Sequence, residues 1–474
     1  MSATATRPTQ EERLGARERL EALCDAGSLQ VMRSGVTSTR LGARAQPGDG
    51  VVGATGTVDG RPIACYAQDG SYLGGSLGER HADTVVRLLE TARKGRVPVI
   101  AFVESGGARM QEGSAALGGY GRVFRETIRL GGIVPQISVV SGNSAGGGAY
   151  SPALTDLILM TEEASMFLTG PGVVREALGE DVDAAALGGR RVHERNGVCH
   201  LVERDEAAAA ERVRSLLRYL PSAAGEAPPR AVPKDPESPD PGAPVPVEPR
   251  RVYDVRDALD GIVDAGSLIE LCPRWARNMV TALARIDGRS VGVVANQPRY
   301  LGGVIDAVAA EKAARFIGFC NSFGLPLVVA VDTPGFMPGT RQERAGVIRY
   351  GASLLRAFAS ATVPKLTVVL RKAYGGAFIA MNSRGLGADL VLAWPNAELG
   401  IMTARAAVGI VHRRELAAAD DVDSELARLT DVYAGEHLRA AAAASAGHID
   451  EIIEPGETRA RLAWSLRTLS GSRQ

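Results

Sequence analysis

Ten residues, Ser141-Gly-Asn-Ser-Ala-Gly-Gly-Gly-Ala-Tyr150, offer a chemistry that needs no reactive side chain. Glycine lets backbone or ligand approach closely. Amide N–H groups at the start of a helix point outward together, without acceptors inside the helix. A glycine turn that feeds a helix can therefore hold a developing oxyanion on main-chain donors alone. A tight strand-to-helix turn with no chemistry would use the same residues. Ser144 stands beside the glycines, but no histidine lies in the turn, so a nucleophilic serine lacks an activating base.

Positioning such a turn requires a strand before it and a helix after it. The apolar run Ile133–Val140 predicts a buried strand, and Ser151–Asp156 reads as the helix that leaves the turn. Upstream, residues 1–10 read as disordered, and Glu11–Cys24 carries apolar residues at helical spacing, stopping at Asp25-Ala-Gly-Ser. Gly53–Gln68 alternates about an Asp59-Gly60 hairpin turn, and His81–Lys94 is an amphipathic helix. Val97–Val103 predicts a second buried strand, leading into another glycine-bearing exit, Glu104–Gly113. Strand, glycine turn and helix in repetition give an α/β fold.

The chain then repeats itself. Thr57-Val-Asp-Gly-Arg returns as Arg285-Ile-Asp-Gly-Arg, Tyr72-Leu-Gly-Gly as Tyr300-Leu-Gly-Gly, Val97-Pro-Val-Ile as Leu325-Pro-Leu-Val, and Ser105-Gly-Gly as Thr333-Pro-Gly, each displaced by 228 residues. Ile133-Val-Pro-Gln-Ile-Ser-Val-Val matches Thr362-Val-Pro-Lys-Leu-Thr-Val-Val at 229, which lays Ala145-Gly-Gly147 on Tyr374-Gly-Gly376. A repeat this long is a duplicated domain rather than a solenoid. Between the copies, one residue in three from Pro221 to Arg250 is proline. That composition favours an extended linker able to reach roughly 90 Å at about 3.1 Å per residue. The expected organisation is a first domain over 1–220, a linker over 221–250 and a second domain over 251–474. Two matched donor turns fit a reaction that develops negative charge on two different oxygens.

Composition narrows the field. Lys+Arg and Asp+Glu balance at 54 each and aromatics are 5%, which removes the electrostatic and stacking support for nucleic-acid binding. Five scattered cysteines contain no Cys-x-x-Cys pair, and the six histidines no His-x-x-x-His pair, so no metal site is expected. With no signal-like N-terminus and no apolar run of about 18 residues, a soluble, cytoplasmic, non-membrane protein is expected.

The chain resembles the carboxyltransferase (β) subunits of biotin-dependent acyl-CoA carboxylases. The resemblance rests on Gly74-Gly-Ser-Leu-Gly78, Ser105-Gly-Gly-Ala-Arg-Met-Gln-Glu-Gly113, Tyr150-Ser-Pro-Ala, Thr169-Gly-Pro171, Asp332-Thr-Pro-Gly-Phe336, Arg371-Lys-Ala-Tyr-Gly-Gly-Ala377 and Ala393-Trp-Pro395, in order from about Ala16 to Ser465. It implies a crotonase-like fold in each half and transfer of carboxyl from carboxybiotin to the α-carbon of a short-chain acyl-CoA. By that resemblance the amides of Gly146 and Gly147 hold the thioester oxygen as the enolate forms. Gly376 and Ala377 hold the ureido oxygen of biotin, with Tyr374 and Gly375 on the biotin side, and the biotin anion removes the α-proton. The acyl-CoA side would draw on Ser105, Gly106, Gly107, Ala145, Thr169, Gly170 and Pro171, and Ile379 would line the acyl pocket and lean towards acetyl-CoA or a broad short-chain range. Arg109 could meet a CoA phosphate or could pin its loop through Glu104 or Glu112. His412-Arg-Arg414 reads as an exposed basic helix stretch.

The resemblance also implies a homo-hexamer built from dimers, each site drawing the first half of one chain and the second half of another. With no Ala-Met-Lys-Met-like biotin attachment site, the partners would be a biotin carboxylase and a biotin carboxyl carrier protein, or a fused α subunit. Two stretches depart from the family pattern: Thr340-Arg341 replaces an acidic run, and Met402-Thr-Ala-Arg-Ala-Ala-Val408 places Arg405 where a smaller residue is usual. They leave open a decarboxylase or transcarboxylase subunit, or an inactive scaffold paralogue.

Overall fold

The computed structural model describes residues 13–248 and 250–470, with the side chain of Ser470 excluded; residues 1–10, read as disordered, lie outside them. The chain divides into two compact units between Pro228 and Pro229.

The first unit is built on strands β1 (Gln30–Met32), β2 (Val51–Val58), β3 (Arg61–Gln68), β4 (Val99–Ser105), β5 (Gln136–Ala145), β6 (Leu157–Thr161), β7 (Ser165–Phe167) and β8 (Leu201–Glu203). They lie in the order β1-β2-β3-β4-β5-β6-β8, with β7 paired to the end of β5. The β1, β2 and β3 pairings are antiparallel; from β3 onward every pairing is parallel. The second unit contains β9 (Ile269–Leu271), β10 (Met279–Ile286), β11 (Arg289–Asn296), β12 (Leu327–Thr333), β13 (Lys365–Tyr374), β14 (Leu390–Ala393), β15 (Glu398–Gly400) and β16 (Glu451–Ile452). Its order, β16-β14-β13-β12-β11-β10-β9 with β15 on β13, is the same arrangement.

Parallel strands covered on both faces read as unbroken apolar runs. All seven residues of β12 are buried, and β4 departs from this only at Glu104. Helices supply the cover: Glu79–Gly95 buries Ala82, Val85, Leu88, Leu89 and Ala92 at helical spacing, and Ala307–Ser322 buries Ala309, Ala310, Ala313, Phe316, Ile317 and Cys320. Both hairpins close on Asp-Gly pairs with positive φ at each residue, 49° and 75° at Asp59-Gly60 and 55° and 71° at Asp287-Gly288. These are the local signals that made the duplication readable.

The expected extended linker is corrected. Residues 221–228 finish the first unit, where Ala223 is fully buried and Ala224 donates to Ile133 O at 2.8 Å. From Pro229 the segment is docked on the second unit: Ala231 donates to Gly288 O at 3.0 Å, and Arg459 reaches Lys234 O at 2.7 Å. Arg371 donates to the carbonyls of Pro246, Glu248 and Arg251 at 3.3, 3.1 and 2.8 Å. Proline lacks a donor but keeps its carbonyl. Arginine side chains therefore do what strand pairing cannot, and the segment is held rather than free to extend.

Candidate active site

Each unit brings three chain segments to the end of its central strand. In the first, the β4 exit (Ser105–Gly107), the β5 exit (Ala145–Gly148) and the residues after β7 meet. β5 runs further than its apolar stretch suggests, to Ala145, because Asn143–Ala145 pair with Ser165–Phe167 and Ser144 pairs with Ser105. The helix begins at Gly147 and ends at Ala153, earlier than the expected Ser151–Asp156. In the second unit β13 runs to Tyr374 and a helix follows over Gly375–Ala380. Each join needs one left-handed glycine, Gly146 with φ 56° and Gly375 with φ 60°.

Those joins decide which amides are available. The Gly146 amide donates to Phe167 O at 3.1 Å, continuing the β5–β7 ladder, so it cannot also serve as an oxyanion donor. This corrects the expected Gly146–Gly147 pair. Gly147 and Gly148 open the helix, and the first amides of a helix have no intrahelical acceptor. At the displacement of 229 they fall on Gly376 and Ala377, the expected pair of the second unit. Ala145 is partly exposed, and Gly376 is exposed with no atom nearer than 3.8 Å to a Cβ built on it, the Phe336 ring.

Several expected substrate contacts are instead parts of the frame. Arg109 is 1% exposed: its guanidinium donates to Asp49 Oδ1 at 2.5 Å, Glu112 Oε1 at 2.9 Å and the carbonyls of Asp49 and Ser76 at 3.0 and 2.9 Å. It cannot reach a phosphate, and its partners are Asp49 and Glu112 rather than Glu104. Burial works against the Glu112 carboxylate, yet the Glu79 amide, Ser38 and Arg109 outweigh it and hold its pKa below the usual range. Ser105 is fully buried, the Gly106 amide donates to Gly74 O at 2.7 Å, and Gly107 donates to Ser105 Oγ at 3.3 Å. Thr169 is exposed, Gly170 is the N-cap of the helix Pro171–Leu178, and Pro171 takes the first helical position. The Tyr374 side chain is buried beside Ala404 and Leu438 with its hydroxyl on Glu398, so only its backbone borders the turn. His412 pairs with Glu415 at 2.8 Å, and Arg413 and Arg414 are exposed.

One pair repeats with different partners. Glu104 and Asp332 stand at the ends of β4 and β12, and their amides donate to Gln68 Oε1 and Asn296 Oδ1 at 3.2 and 3.3 Å. Glu104 is neutralised by Arg13 and Arg19, at 3.0 and 2.9 Å, and Asp332 by Arg371 at 3.0 Å. Beside the second turn lies a cavity of 830 Å³ whose walls include Gly376, Phe378, Ile379, Leu399, Ile401 and His448. Among the described residues no cluster of His, Cys, Asp or Glu is placed to hold a metal ion, and no helix is long and apolar enough to cross a membrane.

The carboxyl transferase domain family matches residues 8–473. The chain belongs to that family. Two similar proteins are the methylmalonyl-CoA carboxyltransferase 12S subunit of Propionibacterium freudenreichii subsp. shermanii, 44% identical over 97% of this chain and 89% of that one, and the propionyl-CoA carboxylase carboxyltransferase subunit of Haloferax mediterranei, 44% identical over 98% and 91%. The crystal structure of a transcarboxylase 12S hexamer, with methylmalonyl-CoA and methylmalonic acid bound, superposes with a TM-score of 0.94 over 98% of this chain and 90% of that one, at 44% identity. This carboxyltransferase therefore has the duplicated crotonase-like α/β fold, and its two glycine turns are the matched ends of its two central strands. Gly148, which the sequence reading left out, stands against Ala377 at the displacement of 229.

Proposed function

We propose that this carboxyltransferase moves a carboxyl group from carboxybiotin, presented on a separate carrier protein, to the α-carbon of a short-chain acyl-CoA. The observation that carries the reading is the pair of equivalent helix starts, Gly147–Gly148 and Gly376–Ala377, each offering main-chain donors where the helix supplies no acceptor. In the first unit the amides of Gly147 and Gly148 hold the thioester oxygen while negative charge develops on it. Preorganised donors aimed at developing charge stabilise a transition state without reorganising. In the second unit the amides of Gly376 and Ala377 hold the ureido oxygen. The cavity beside them fits a bicyclic ring, since Phe378, Ile379, Leu399 and Ile401 are apolar and the polar donors lie at one side. Carboxybiotin, when bound, supplies the carboxyl group. The chain's own part is to orient the two oxygens and keep the acyl group between apolar walls, Ile379 among them.

The working assembly is a hexamer built from dimers that needs a biotin carboxylase and a biotin carrier, with each site taking the first unit of one chain and the second unit of another. Purified protein, a carboxylated biotin carrier and a panel of acetyl-, propionyl- and butyryl-CoA test the reading, followed by radiolabelled carboxyl. Label in a malonyl-type CoA is the expected result. Loss of CO₂ from malonyl-type CoAs without net carboxylation makes the protein a decarboxylase subunit. No transfer from a properly assembled hexamer makes it a scaffold.

A further inference from the structure

The first turn is braced by a residue outside the reacting groups. Tyr120, on the helix Ser114–Leu130, is 4% exposed. A Cβ built on Gly147 would stand 2.7 Å from three atoms of its ring, so Gly147 backbone and Tyr120 ring are in direct contact. The Tyr120 hydroxyl lies 3.2 Å from Ser105 Oγ. Ser105 Oγ also accepts the Gly107 amide at 3.3 Å, and a Cβ on Gly148 would stand 2.8 Å from Ser105 Cβ. Both donor glycines are thus pressed against one hydrogen-bonded pair, Gly147 on Tyr120 and Gly148 on Ser105.

The second unit keeps only part of this device. Thr333 Oγ1 accepts the Gly335 amide at 3.3 Å, the counterpart of the Ser105–Gly107 bond. At Gly376, however, the neighbour is the Phe336 ring at 3.8 Å, which carries no hydroxyl. An apolar ring suffices to fill that space, so the Tyr120 hydroxyl is an addition specific to the first turn. Burial pushes its pKa up to about 12, against the Ser105 bond, and keeps it protonated.

We propose that Tyr120 is a positioning residue for the acyl-side turn. Its ring sets the depth of Gly147, and its hydrogen bond to Ser105 fixes the turn against the β4 exit so that the Gly147 and Gly148 amides converge on one oxygen. This rests on the acyl-side reading of that turn. Tyr120→Phe keeps the ring and removes the hydroxyl; Ser105→Ala removes the same bond from the other side. Each single variant is expected to lower kcat about tenfold with KM within about twofold, since misaligned donors weaken the transition state more than the ground state. The double variant should be no worse than the poorer single one, because contacting residues that share one interaction are not additive. CO₂ release from the carboxylated carrier without acyl-CoA, a biotin-side reaction, should be unchanged in Tyr120→Phe. Wild-type kcat in Tyr120→Phe, a loss confined to KM, or strictly additive losses would overturn the proposal. A wild-type protein that transfers no carboxyl would overturn the acyl-side reading and the proposal with it, whereas an active wild type matched by Tyr120→Phe would overturn the proposal alone.

Discussion

Gly147 and Gly376 occupy equivalent places, yet they tolerate a side chain differently. A Cβ on Gly147 collides with Tyr120, whereas one on Gly376 meets nothing closer than 3.8 Å, and neither residue has a left-handed φ. Gly376→Val should therefore fold with an unchanged melting temperature and place its branches over the amides. Its kcat is expected to fall about 10²–10³-fold, the usual cost of losing an oxyanion donor; a fall in melting temperature instead would show the glycine to be architectural. A second prediction concerns His81, which is fully buried. Burial first, and then Arg109, push its imidazole down to about 3, with the Asp49 bond to its amide opposing. The unfolded chain takes up that proton near pH 6.5 and the folded protein does not, so stability rises with pH from about 3 to 6.5 and is flat above. Urea unfolding at pH 4, 5, 6 and 7 should show that slope, and His81→Gln should flatten it. Sequence reading singled out the glycines because their type suits main-chain oxyanion binding. It misassigned the Gly146 amide, and of the two roles left open for Arg109 the structure fits the loop-pinning one, through Glu112. The partners it did not foresee, Phe167 and Asp49, lie 21 and 60 residues away along the chain and carry no local signature.

The elements were easier to read than their ends. Hairpins at Asp59-Gly60 and Asp287-Gly288 and the buried runs of β4 and β12 follow from turn chemistry and apolar continuity. The extension of β5 to Ala145 does not, because it depends on pairing with β7, a strand of three residues. The proline-rich segment was legible as a domain boundary but not as a docked element, since the donors that hold it are side chains of remote arginines. A buried lysine makes the same point in the second unit. Lys312, 2% exposed on the helix Ala307–Ser322, donates to Cys272 O, Trp275 O and Met279 O at 2.9, 2.9 and 2.7 Å. It closes a loop in which Cys272 and Ala276 take positive φ, 52° and 44°. Lys312→Met would leave three inward carbonyls without their donor. The expected cost is roughly 2–4 kcal/mol, given about 1–3 kcal/mol for an unsatisfied buried group and partial relaxation. Denaturant midpoints check this; a change within about 0.5 kcal/mol would mean that the loop rearranges freely.

At the scale of the whole molecule, duplication explains why two turns share a backbone and why their surroundings differ. Glu104 and Asp332 keep their place but take arginines from different parts of the chain, and Gly142 stands in the first unit at the position of Arg371 in the second. If each copy handles one oxygen, as proposed, nothing requires the two frames to remain alike. That division predicts a behaviour of mixed assemblies. Gly147→Ala disables the first unit by moving the turn off Tyr120, and Gly376→Val disables the second. If each site joins the first unit of one chain to the second unit of its partner, a dimer of the two variants contains one doubly altered site and one intact site, as two-fold symmetry demands. Chains mixed at random should then recover about a quarter of wild-type activity, because half of the dimers are mixed and each has one of its two sites intact. Sites contained within single chains would give no recovery, since every chain carries a lesion. Co-expression of the two variants under separate tags, with transfer measured on the assembled hexamer, distinguishes the outcomes. Activity no higher than the average of the two single variants would place each pair of turns within one chain.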